Sequence, residues 1–71
     1  MHNAVMFDAA QIKEMRVSLG ESQVIFGARF GVDQSTVHRW ETETPPKRGP
    51  ALLALRSLHA ELTGKAAEAA Q

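Results

Sequence analysis

Polar and basic side chains cluster near the middle of the chain in an arrangement that could bind DNA. Between Asp33 and Glu41 the sequence mixes apolar residues with hydroxyl, amide, imidazole and guanidinium groups. Amide and guanidinium groups pair with adenine and guanine in the major groove, and hydroxyl groups bind base edges or phosphates. On one side of a helix these groups would form a surface suited to DNA. The candidates are Gln34, Ser35, Thr36, His38 and Arg39.

Helix signals around this stretch predict two short helices joined by a tight turn. Ser22 and Asp33 are N-cap residues by type, and Gly31 can take the left-handed conformation that ends a helix. Gly27 would let the two helices approach closely. We expect Phe26, Phe30, Val32, Val37 and Trp40 to fill the space between them. The two helices are expected at about 22–30 and 33–41.

A further helix is predicted on each side of this pair. Asp8 and Gln11 have the spacing of a capping box at the start of the first helix, which should end near Gly20. Pro50 suits the first turn of the last helix, and Gly64 is expected to end it. No alternating strand pattern is present. The sequence therefore predicts a compact all-α domain of four to five helices, with its core at about 8–62 and a flexible tail at 63–71.

Composition limits the classes of function. The chain has 71 residues, 44% of them hydrophobic, which is enough for one small folded domain. The absence of cysteine excludes disulfides and thiol catalysis, and three scattered histidines favour neither a metal nor a cofactor. No apolar run approaches the ~20 residues that span a membrane, so we expect a cytoplasmic protein. A net charge of zero argues against strong non-specific DNA binding.

The pattern resembles the lambda-repressor-like helix-turn-helix regulators, also called the XRE family. The likeness covers about residues 8–62 and implies a compact all-helical domain with a helix-turn-helix at 22–41. Members usually bind operator DNA as dimers, so the likeness implies a near-palindromic site with half-sites about 34 Å apart. The residues that carry it are Arg16, Ser22, Gln23, Gly27, Gly31, Val32, Gln34, Ser35, Thr36, Val37, Trp40 and Glu41.

This resemblance implies a role for each candidate. Gln34 would pair with adenine and Arg39 with guanine, while Ser35 would reach a base edge or a phosphate. Thr36 would contact a thymine methyl group or the backbone, and His38 would lie one turn further along the same side. The residues expected to hold phosphates are Gln23, Lys47 and Arg48.

Other residues receive structural assignments. The resemblance implies that Arg16 and Glu41 form an ion pair between the first and third helices. Trp40 is expected in the core rather than as a platform for bases. His59 and His2 are expected to be structural or incidental.

Two departures from the family pattern affect the expected partners. Thr42 to Pro46 replaces the glycine that often ends the third helix, and Glu43 would repel phosphates unless it points away. Val24 and Ile25 are apolar at positions that are usually polar, which suggests that Ile25 contacts a partner subunit or packs against the loop. In the last helix we expect Leu55 and Leu58 to pack on the domain. The expected homodimer surface comprises Leu52, Leu62 and Ile25.

Several alternatives remain open. Residues 34–36 could be a solvated first turn, and Lys47 and Arg48 could be a solvated loop. The chain could be a repressor of a phage or mobile-element operon. An antitoxin-like protein or another protein-interaction module could use the same fold. An enzyme is not expected, because no nucleophile–base pair, metal cluster or phosphate-binding loop is present.

Overall fold

Four helices make up the described part of the chain, in agreement with the predicted all-α class. The computed structural model describes residues 7–69, with side chains through Gly64. No strand occurs within these residues. The helices are α1 (Ala9–Ser18), α2 (Gln23–Phe30), α3 (Gln34–Thr42) and α4 (Pro50–Ala69).

Side-chain caps fix the starts of the first three helices. The Asp8 carboxylate accepts a hydrogen bond from the Gln11 backbone N–H at 2.8 Å, and the Gln11 side chain accepts one from the Asp8 N–H at 3.0 Å. This reciprocal pair is the predicted capping box. Ser22 caps α2 and Asp33 caps α3, each by accepting a backbone N–H three residues on. These caps satisfy amides that have no partner within the helix.

Two glycines control the turn between α2 and α3. Gly31 has a φ of 70°, which places it in the left-handed region and ends α2. A Cβ on Gly27 would lie 2.7 Å from the Val32 carbonyl oxygen and 3.1 Å from Val37 Cγ2. Only a residue without a side chain allows this approach, so Gly27 determines how closely α3 packs on α2.

A single apolar core joins all four helices. α3 packs against both α1 and α2. The ring of Phe30 meets Phe26 and Trp40 edge-on, with centroid distances of 5.0 and 5.7 Å. Trp40 is therefore a core residue, as predicted. The buried hydrophobic residues are Phe7, Ile12, Met15, Phe26, Val37, Trp40, Leu52, Leu55 and Leu58.

Two predictions about the last helix are wrong. Gly64 does not end α4, and the expected tail at 63–71 is helical as far as Ala69. One glycine costs only about 1 kcal/mol in a helix, and the alanine-rich segment after it favours helix. Leu52 is also not available to a partner, because it is 5% exposed within the core. Leu62 is half-buried against the same core, and Leu53 is the exposed leucine of this helix.

Within the described residues, no helix combines the length and the apolar character needed to cross a membrane.

The His59 ring packs edge-on against the ring of Phe7, with ring centroids 5.3 Å apart, which fits the structural role expected for His59. The corresponding expectation for His2 lies outside the described residues.

Candidate nucleic-acid interface

α3 has one apolar face and one polar face. Val37 is fully buried and Trp40 is 6% exposed, so this side of the helix forms part of the core. The opposite side is exposed, and its residues recur every three to four positions, as expected for one face of a helix. The exposed residues of α3 are Gln34, Ser35, His38, Arg39 and Thr42.

The first turn of α3 is organised around the Asp33 carboxylate. Asp33 Oδ1 accepts hydrogen bonds from the Thr36 hydroxyl at 2.7 Å and from the Ser35 hydroxyl at 3.1 Å. These bonds, led by the one from the Thr36 side chain, lower the pKa of Asp33. Both hydroxyl protons are thus used within the cap, and Thr36 is half-buried. Any contact of Ser35 or Thr36 with DNA would use a hydroxyl lone pair or the Thr36 methyl group.

Gln34 and Gln23 are in direct contact. Gln34 Nε2 donates to Gln23 Oε1 at 2.6 Å, and Gln23 Nε2 donates to Glu41 Oε1 at 3.1 Å. Both polar atoms of the Gln23 side chain are therefore bonded inside the protein. Its expected phosphate contact stays a prediction, and the structure gives it a further role as a link between the two ends of α3.

The ion pair expected between Arg16 and Glu41 is present. Arg16 Nε donates to Glu41 Oε2 at 2.7 Å, and Arg16 Nη2 donates to Glu41 Oε1 at 3.1 Å. The Glu41 side chain is only 3% exposed. Burial acts to raise the pKa of Glu41, but the hydrogen bonds from Arg16 and Gln23 outweigh it and the pKa is lowered. The pair joins α1 to the end of α3.

A second ion pair, between Glu21 and Arg29, was not anticipated from the sequence. Arg29 donates to the Glu21 carboxylate at 2.8 and 2.6 Å and lowers its pKa. The Glu21 carbonyl oxygen also accepts from Arg16 Nη1 at 2.9 Å. These contacts cross the turn between α1 and α2, where no simple sequence spacing would have indicated them.

The remaining basic candidates project from the surface. His38 and Arg39 are exposed on α3, and Lys47 and Arg48 are exposed in the loop before α4. The side chains of these four residues make no hydrogen bond or ion pair with any group that the structure describes. They are therefore available to a ligand. Glu43, just beyond α3, is exposed as well.

Apolar side chains are also exposed beside this surface. Val24 and Ile25, in the first turn of α2, are 63% and 57% exposed. Their exposure agrees with the expectation that these positions face outward.

No group of histidine and carboxylate side chains in the described region is arranged to hold a metal ion. The candidate site consists of the exposed face of α3, the Gln23–Gln34 contact and the nearby basic loop.

No family model matches this chain, and no curated protein or solved structure was found to match it.

Proposed function

We propose that this chain is a sequence-specific DNA-binding transcriptional regulator that reads the major groove with α3. The observation that carries the proposal is the two-faced character of this helix. Its apolar side is locked into the core, while an exposed amide, imidazole and guanidinium occupy the other side. Such groups recognise base edges.

The dimensions of α3 support this proposal. A helix with its side chains is about 10–12 Å wide, which matches the ~12 Å width of the major groove. α3 has nine residues and is anchored at its start by Asp33 and at its end by the Arg16–Glu41 pair. A short, firmly held helix loses little conformational entropy on binding.

The charges near α3 are compatible with a phosphate backbone despite the net charge of zero. Glu41 is paired with Arg16, and Asp33 is used in the cap, so neither is a free anion on the reading face. Arg39, Lys47 and Arg48 are unpaired within the described residues. Glu43 opposes them, so we expect weak non-specific binding and a larger contribution from base contacts.

Selection from a pool of randomised DNA duplexes tests the proposal. We expect one enriched site, most simply an inverted repeat bound by two copies of the chain as a repressor would bind it. Arg39→Ala should weaken binding to that site by about fivefold or more, as the loss of a bidentate guanine contact implies.

Arg29→Ala is the matched control for that experiment. It removes the same charge from the exposed Glu21 pair rather than from α3. Equal effects of the two substitutions, or no enrichment of any duplex, would contradict the proposal.

A protein-interaction module, such as an antitoxin-like protein, is the second candidate. The exposed Val24 and Ile25 favour it, because adjacent apolar side chains on a surface often mark a protein contact. Salt separates the candidates. DNA binding should weaken with a slope near −0.9 per phosphate neutralised, whereas an apolar contact should change little.

A further inference from the structure

We infer that Glu41 is a positioning residue that fixes, through Gln23, the orientation in which the Gln34 side-chain amide meets a base pair. The inference rests on the proposed reading of DNA by α3. The Glu41 side chain is 3% exposed and cannot itself lie against a base. Its influence follows from the order of hydrogen-bond donors and acceptors along Glu41, Gln23 and Gln34.

The order begins at the Glu41 carboxylate. An ionised carboxylate has only acceptors, so every group that hydrogen-bonds to it must present an N–H or an O–H. Arg16 occupies both oxygens of this carboxylate, and Gln23 reaches Oε1 at 3.1 Å. Gln23 must therefore turn its NH2 group toward Glu41, which leaves its Oε1 on the opposite side.

The same restriction passes to the next amide. Gln23 Oε1 is an acceptor and lies 2.6 Å from the Gln34 amide nitrogen. Gln34 must turn its own NH2 group toward Gln23. Its Oε1 and the second hydrogen of Nε2 then remain free in a fixed order at the exposed start of α3.

This order distinguishes an A·T pair from a T·A pair. Adenine presents its N7 acceptor beside its N6 donor, and the sequence of these atoms along the groove reverses when the base pair is reversed. An amide of fixed orientation matches one sequence only, whereas an amide free to rotate by 180° can match both. Glu41 would thus determine a base preference without touching DNA.

The charge state of Glu41 supports this arrangement at neutral pH. Burial alone would favour a protonated carboxyl group, which could donate a hydrogen bond and reverse the order. The hydrogen bonds from Arg16 and Gln23 keep the pKa of Glu41 below its usual value of 4.5. The carboxylate therefore remains an acceptor throughout the neutral range.

Two variants interrupt the chain of amides at different points. Gln23→Met removes the middle amide and leaves the Arg16–Glu41 ion pair in place. Glu41→Gln supplies an amide that can present either its oxygen or its NH2 group to Gln23. Glu21→Gln is the control, because it neutralises a carboxylate that bonds to Arg29 and not to Gln23.

The first measurement is the ratio of affinities for two duplexes that carry A·T or T·A at the pair read by Gln34. This pair is the one whose preference disappears in Gln34→Ala. We expect a ratio of about tenfold or more in the wild type and in Glu21→Gln. It should fall to about twofold or less in Gln23→Met and Glu41→Gln. An unchanged ratio in folded Gln23→Met would overturn the inference and leave DNA binding by α3 intact.

The second measurement needs no DNA. Nuclear magnetic resonance of the free protein should show one Gln34 side-chain N–H shifted by its bond to Gln23. This shift should vanish in Gln23→Met, decrease in Glu41→Gln, where both orientations of the amides become possible, and persist in Glu21→Gln. A Gln34 resonance that does not respond to either variant would refute the inference. Failure to find any bound duplex would instead refute the proposed function, so the two failures are distinguishable. If Glu41→Gln does not fold, an unchanged ratio in Gln23→Met still overturns the inference.

Discussion

Gln23 and Gln34, eleven residues apart in sequence, are joined by a 2.6 Å hydrogen bond between their side-chain amides. Because Gln23 also bonds to Glu41, one residue at the start of α2 is linked to both ends of α3. Arg16 extends this connection to α1. The exposed face of α3 is therefore held by a polar network on one side and by the apolar core on the other.

Breaking the Arg16–Glu41 ion pair should destabilise the fold, because it leaves one charge without its partner. Arg16→Ala leaves a carboxylate that is 3% exposed without its cation. We expect a loss of about 3 kcal/mol in the free energy of unfolding, near the lower end of what breaking a buried pair costs. Urea unfolding followed by the fluorescence of Trp40, the single tryptophan of the chain, measures it.

Arg29→Ala is the matched control for this prediction, because the Glu21–Arg29 pair lies at the surface. Exposed ion pairs contribute little to stability, so its unfolding midpoint should stay close to that of the wild type. A similar loss in both variants would contradict the structural role assigned to Glu41.

Acid should destabilise the fold. The folded-state pKa values of Glu41 and Glu21 lie below their usual value of 4.5, and that of Asp33 lies below 3.8. The folded chain thus binds fewer protons than the unfolded chain at low pH. Its stability should be fully present above about pH 4.5 and should fall as the pH drops through the lowered pKa values. Urea midpoints between pH 7 and pH 3 check this, and a midpoint independent of pH would disagree.

Alanine should have opposite effects at two helical glycines. Gly27→Ala places a methyl group 2.7 Å from the Val32 carbonyl oxygen and should destabilise the fold by about 1–3 kcal/mol. Gly64→Ala meets nothing within 4 Å and should stabilise α4 by up to about 1 kcal/mol. Thermal unfolding of both variants distinguishes these effects. A tolerated alanine at position 27 would show that the α2–α3 packing is looser than described.

The basic loop should contribute affinity without base preference. Lys47→Ala and Arg48→Ala should each reduce the slope of log K against log salt by about 0.9 if each side chain neutralises one phosphate. The preferred sequence should not change, because phosphate contacts position the protein and do not read bases. Binding titrations at several salt concentrations measure this. A changed base preference in either variant would show that the loop enters the groove.

Local signals in the sequence predicted much of the fold. Asp8, Ser22 and Asp33 were predicted as caps from residue type and spacing, and Gly31 as the end of α2. These predictions succeeded because each depends on a few neighbouring residues. The prediction that Gly64 ends α4 is wrong for the same reason, because one local glycine outweighs neither the helix-favouring segment after it nor the rest of the helix. Leu52 was misassigned because a leucine-rich helix has several apolar positions, and only the packing decides which of them face inward.

The candidate site was only partly predictable. The Arg16–Glu41 pair came from the family resemblance, and the structure confirms it. The contact between Gln23 and Gln34 was missed, because it depends on the angle at which α2 meets α3. The sequence indicates both residues, but as separate ligands for phosphate and base. Their connection is a property of the folded chain that no spacing rule gives.

The most direct test of the central claim is to map the contact surface by nuclear magnetic resonance, using the duplex enriched in the selection. We expect the largest chemical-shift changes on the backbone amides of residues 34–39, with smaller changes at Lys47 and Arg48. The largest changes on α4 or around Val24 and Ile25, with little change in α3, would contradict it.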